Sequence, residues 1–128
     1  MFKAKVAFSG FSVIELAKAK EFYTETLGLK VDDEGVGLRL YLPDGGSVFA
    51  YPKDDHQPAT FTILNFVVDN IDEAVDELAN RGVQFDHYEA GLKTGEKGIF
   101  RGISQDMGPD IAWFKDPAGN ILSVIEES

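Results

Sequence analysis

The chain has no cysteine among its 128 residues, which excludes a disulfide framework, a thiolate zinc site and a cysteine nucleophile. Basic residues are scarce: 12 Lys and Arg stand against 22 Asp and Glu, a formal net charge of −10. That balance repels phosphate backbones and anionic lipid, so neither nucleic acid nor a membrane is expected as a partner. Long apolar runs are missing too. The start, Met1-Phe2-Lys3-Ala4-Lys5, leads into Ser9, Gly10 and Ser12, so no signal-peptide core or spanning helix is read and a cytoplasmic location is expected. Only two histidines occur. His56 sits in a polar loop, and His87, beside Asp86 and Glu89, ends an expected strand; neither offers a ligand spacing, and both read as solvated.

What is present is a sizeable apolar fraction, 44%, enough for one compact domain over residues 1–128. Val6 to Val13 reads as a buried strand. From Glu15 the period changes: Leu16, Ala19, Phe22, Tyr23 and Leu27 recur at steps of three and four, and Gly28 supplies a stop, which predicts a helix of about three turns. Leu29-Lys30-Val31 opens a strand. Leu38, Leu40 and Leu42 alternate with Arg39 and Tyr41, Pro43-Asp44-Gly45-Gly46 is a turn, and Ser47 to Tyr51 is a further strand.

The second half repeats this order. Phe11-Ser12-Val13 answers Phe66-Val67-Val68 at an offset of 55, as do Leu16 with Ile71, Ala19 with Ala74 and Tyr23 with Leu78. Gly28-Leu29 answers Gly82-Val83 with one residue fewer between, and Pro43-Asp44-Gly45 answers Pro117-Ala118-Gly119 at an offset of 74. The expected fold class is α+β, two βαβββ repeats over about 5–52 and 60–126.

Phe11-Ser12-Val13-Ile14-Glu15-Leu16 through Ala19, Phe22-Tyr23 and Leu27-Gly28-Leu29, then Phe66-Val67-Val68-Asp69-Asn70, then Trp113-Phe114-Lys115-Asp116-Pro117-Ala118-Gly119-Asn120 resemble the vicinal-oxygen-chelate superfamily of glyoxalases, bleomycin-resistance proteins and extradiol dioxygenases. The resemblance implies a curved mixed sheet around a trough, with helices on the outer face. It also implies that metal-dependent members take one ligand from the first and one from the last strand of each copy. Those positions fall here on Phe8, Ile63, Phe49 and Ser123, none a usual ligand, so no metal and no cofactor is expected.

Strand parity then sorts the side chains. With Phe8, Ile63, Phe49 and Ser123 facing the trough, so do Ser12, Asn65, Tyr51, Arg39, Tyr41 and Trp113, while Phe11, Leu64, Phe66, Leu122 and Val124 face the helices. An aromatic lining with a few polar groups suits a small organic ligand. On this reading Trp113 is a stacking wall and Arg39 an anchor for an anionic or acceptor group. The glycine-punctuated segment from Gly91 to Gly102 could form a lid touching through Phe100 and Arg101.

The leading expectation is metal-independent binding of a small, aromatic molecule, in the manner of drug-sequestering relatives. A lyase or isomerase using Arg39, Tyr41 and Tyr51 is an alternative, although no acid/base pair lands in the trough. A dimeric structural or regulatory module without ligand is a third. The resemblance also implies a homodimer.

Overall fold

The computed structural model describes every residue, Met1–Ser128. The chain falls into two compact units, Met1–Pro58 and Ala59–Ser128, each a βαβββ repeat.

The first unit holds β1 (Ser9–Val13), α1 (Leu16–Glu21) running into a π-helical turn (Phe22–Thr26), β2 (Lys30–Asp33), β3 (Leu38–Tyr41) and β4 (Ser47–Pro52). Its sheet has the order β1-β4-β3-β2. β1 lies parallel to β4, and the other pairs are antiparallel. Alternation dictates its back face: Phe11, Val13, Leu38, Leu40, Val48 and Ala50 are all buried, with Ala19 and Tyr23 of the helical segment. Each large apolar side chain removed from water here contributes roughly 1.5–3 kcal/mol. Gly28, at φ 72°, ends the helical segment as expected. The strand expected from Val6 begins only at Ser9, opposite Val48, and Val6 and Phe8 are exposed where a buried run was expected. Within the expected helix, the Leu27 amide bonds the Phe22 carbonyl five residues back, the mark of a π turn.

The second unit holds β5 (Thr62–Val67), α2 (Ile71–Asn80), β6 (Ile99–Arg101), a 3₁₀ turn (Ile103–Gln105), β7 (Asp110–Lys115) and β8 (Ile121–Glu126). The order β5-β8-β7-β6 repeats that of the first sheet. Asn70 caps α2 by accepting from the Glu73 amide at 3.0 Å, and Asp72 and Glu73 suit the positive end of the helix dipole. Ile71 and Val75 of α2, Ile99, Ala112, Phe114, Leu122 and Val124 make the core. The Asp116–Asn120 turn is built around a buried carboxylate. Asp116 Oδ1 accepts from the amides of Ala118 and Asn120, both at 2.9 Å, and Asn120 Nδ2 donates to Oδ2 at 3.0 Å.

Three expectations for this unit are corrected. No strand follows Gly82; only a single bridge, Phe85 to Phe114, forms there, so His87 does not end one. The segment expected as one loop up to Gly102 contains β6, whose pairing with β7 joins Ile99 to Ala112 and Arg101 to Asp110. Finally, Thr62 pairs with Ile121 and Leu64 with Leu122, so Ile63 is the extra residue of an irregularity rather than a regular member of the ladder.

Candidate functional site

In the first unit the register β1–β4–β3 sets Ser12 beside Tyr51, Gly10 beside Phe49, and Phe49 beside Arg39, all on the face opposite the core. Phe49 and Tyr51 stack at 6.4 Å between ring centres with 19° between planes. The Arg39 guanidinium lies over the rings of Phe8 and Phe49, at 4.8 and 5.4 Å from their centres. Its Nε donates to Glu34 Oε2 at 2.8 Å and Nη1 to Ser47 Oγ at 3.2 Å. The Glu34 bond holds the Arg39 pKa above its ordinary value. Tyr41 donates to Asp32 Oδ2 at 2.8 Å, and that bond raises the phenol pKa. Six expected site residues, Phe8, Ser12, Arg39, Tyr41, Phe49 and Tyr51, thus belong to one open face, where Arg39 pairs with the Glu34 carboxylate, the acidic side chain that was the alternative to a free anchor.

His56 was expected to be solvated and is not. It is half-buried, and its Nδ1 lies 2.6 Å from Ser12 Oγ, across 44 residues of sequence. A turn places it there: the Lys53 amide bonds the Val13 carbonyl, and the His56 amide bonds the Lys53 carbonyl. No spacing rule announces such a contact, because it depends on how the loop after β4 folds back on β1.

In the second unit Asn65 pairs with Ser123 and Ser123 with Trp113, which puts these three on one face of the sheet. Ser123 is fully buried and donates to Asn65 Oδ1 at 2.5 Å. Tyr88, absent from the expected set, meets Trp113 edge-on at 5.5 Å. Phe100 is buried, and both terminal nitrogens of Arg101 bond Asp72 of α2, at 2.8 and 3.0 Å. Phe100 is thus packed within the second unit, and Arg101 is tied to α2. Lys97 adds bonds to Asp72 and Asp76 at 3.0 and 2.9 Å. The Arg101 and Lys97 bonds drive the Asp72 pKa far below the usual carboxylate range. A cavity of about 570 Å³ lies beside this network, lined by Lys93, Thr94, Lys97, Phe100, Arg101 and Met107 among others.

The repeated βαβββ topology agrees with comparison to known proteins. The sequence pattern of the Glyoxalase/Bleomycin resistance protein/Dioxygenase superfamily matches residues 6–124. The chain belongs to this superfamily. Among solved superfamily-like structures, TnmS3, an antibiotic binding protein from Streptomyces sp. CB03234, is 25% identical with a TM-score of 0.70, over 100% of this chain and 99% of that one. A superfamily member from Sphaerobacter thermophilus DSM 20745 is also 25% identical, with a TM-score of 0.68 and 98% of each chain covered. A glyoxalase family protein from Enterococcus faecalis shares the fold at 22% identity and a TM-score of 0.68, over 98% of this chain and 100% of that one. Comparison with curated proteins gives no match.

The superfamily's metal does not fit this donor set. Phe8 and Phe49 offer rings already faced by the Arg39 cation. Ile63 offers no lone pair, and the Ser123 hydroxyl is committed to Asn65. Nowhere do three or more His, Asp or Glu side chains gather as a metal site. A divalent ion at those four positions would lose its hydration without replacement ligands.

Proposed function

We propose that the chain binds a small, flat organic molecule without a metal, stacking it on the open aromatic face of the first unit. The observation that carries this reading is the run of Phe8, Phe49 and Tyr51 beside Arg39, with Phe8 and Tyr51 still 56% and 37% exposed. Exposed aromatic surface beside a few oriented polar groups is what organic ligands use. The antibiotic binding protein TnmS3, similar along its whole length, supports the same reading. Trp113 and Asn65, backed by the buried Ser123, form a second polar and aromatic surface available to such a ligand.

Arg39 supplies recognition of a carboxylate or phenolate edge through Nη2, since Nε and Nη1 are already bonded to Glu34 and Ser47. We further propose a homodimer, supported by the exposed apolar side chains Phe61 and Val67 in and next to β5; light scattering at micromolar concentration tests it. The binding reading is tested by calorimetric titration with a panel of aromatic acids, with Trp113 fluorescence followed alongside. Saturable binding that weakens by about tenfold or more in Phe49→Ala and Arg39→Ala is the expected result. Binding that is absent across the panel, or equal in all three proteins, overturns it.

A further inference from the structure

The Ser12 and His56 pair has a geometry that ligand binding alone does not require. Ser12 Oγ and His56 Nδ1 are 2.6 Å apart, within the range of a strong hydrogen bond between a hydroxyl and an imidazole nitrogen. The hydroxyl is only half-buried, on the open face of β1 and not in the core. Its strand neighbour on one side is Tyr51, itself stacked on Phe49. Two residues back on the same face, Gly10 carries no side chain; a Cβ there would stand 3.4 Å from the Phe49 carbonyl oxygen and 3.8 Å from the Tyr51 ring. Bare backbone therefore flanks the hydroxyl, with an aromatic wall alongside. The backbone that carries the imidazole is held by main-chain bonds of the Lys53–His56 turn, and the ring meets Ser12 Oγ through Nδ1. A hydroxyl bonded to a fixed base, reachable from solvent and bordered by an aromatic surface, is the arrangement of an activated serine nucleophile.

We propose that Ser12, with His56 as its base, is an acyl-transfer site for esters of phenols. With the aryl group against Tyr51, Oγ attacks the ester carbonyl carbon while its proton passes to His56 Nδ1. The bond from the carbonyl carbon to the aryl oxygen then breaks, and the imidazolium returns the proton to the departing aryloxide. The products are a phenol and acyl-Ser12. Water, deprotonated by the same nitrogen, attacks that ester, releases the carboxylic acid and restores the hydroxyl.

The test uses the full chain with para-nitrophenyl acetate, reading nitrophenolate release by absorbance and acetylation by peptide mass mapping. The expected result is an acetyl group on the peptide carrying Ser12 and its disappearance in Ser12→Ala. His56→Gln keeps a hydrogen-bond acceptor for the hydroxyl but removes the base, so the acetylation rate at Ser12 should fall about 100-fold or more. A fluorophosphonate probe gives a second readout independent of ester hydrolysis, with phosphonylation expected at Ser12 and lost in the same variants. Circular dichroism of each variant separates loss of chemistry from loss of fold. Modification of lysines or Tyr51 without Ser12, or equal Ser12 labelling in the wild type and a folded His56→Gln, overturns the proposal. None of these readouts depends on the aromatic-acid titration.

Discussion

The hydroxyl of Ser123 donates to the side-chain oxygen of Asn65 at 2.5 Å, joining the last strand of the second unit to its first at a position where metal-dependent relatives are expected to carry a ligand. The hydroxyl is spent on a structural bond. Ser123 is fully buried and Asn65 exposed, so Ser123→Ala leaves an acceptor that water can still reach. The expected loss is about 1 kcal/mol of unfolding free energy. Urea denaturation of Ser123→Ala, Asn65→Ala and the double variant checks it, the double variant costing less than the sum.

Arg39 and Glu34 give a prediction about ligand charge. Glu34 lies 2.8 Å from Arg39 Nε and neutralises part of its field. Glu34→Gln should therefore strengthen binding of aromatic carboxylates several-fold and leave neutral aromatics unchanged. Calorimetry with a matched acid and amide decides it. Equal responses of both ligands would remove charge from the recognition.

Asp72 sets part of the acid limit of the second unit. Its folded pKa is depressed by Arg101 and Lys97, so the unfolded chain binds its proton first as pH falls. The stabilisation is complete above the unfolded carboxylate range of about 4 and is lost progressively as pH drops below it toward the folded value. Asp72→Asn should flatten the fall in urea midpoint between about pH 5 and pH 2. The effect should shrink in high salt, because the side chain is 46% exposed and screened by solvent.

Gly82 has φ 95° and open space where a Cβ would stand, so any cost of replacement there is conformational and not steric contact. Gly82→Val should lose about 1 kcal/mol or more in thermal or urea unfolding. Gly28→Val, at φ 72°, should behave alike.

The two faces of each sheet were legible from period-two alternation. Phe11, Leu122 and Val124 could be assigned to the core because every second residue of a strand must share a side, and all three are buried. The recurring order of strand, helix, glycine stop and Pro-x-Gly turn likewise exposed the repeat within this one chain. What depends on partners distant in sequence was not legible. β6 is three residues long, Ile99–Arg101, with no alternation to read, and exists because β7 offers it an edge. Glu34 reaches Arg39 only because the β2–β3 connection returns there, and His56 meets Ser12 only because its loop folds back on β1. Ile63 kept the right offset from its twin Phe8, yet an irregularity removed it from the ladder.

The π turn at Phe22–Thr26 explains an arithmetic oddity of the duplication. Tyr23 and Leu78 correspond at an offset of 55, whereas Gly28 and Gly82 correspond at 54, so the first copy carries one more residue in this stretch. That residue widens a single helical turn, with the Leu27 amide reaching back five places to Phe22. Passed on to β2, a surplus of one would have exchanged the inward and outward sides of the strand, since side chains there alternate at every step. Absorbed in the helix, it costs one loosened turn, and Val31 still pairs with Leu40 over the core. The helix is thus where the first unit tolerates an odd number, a shock absorber that leaves β2 in step with β3.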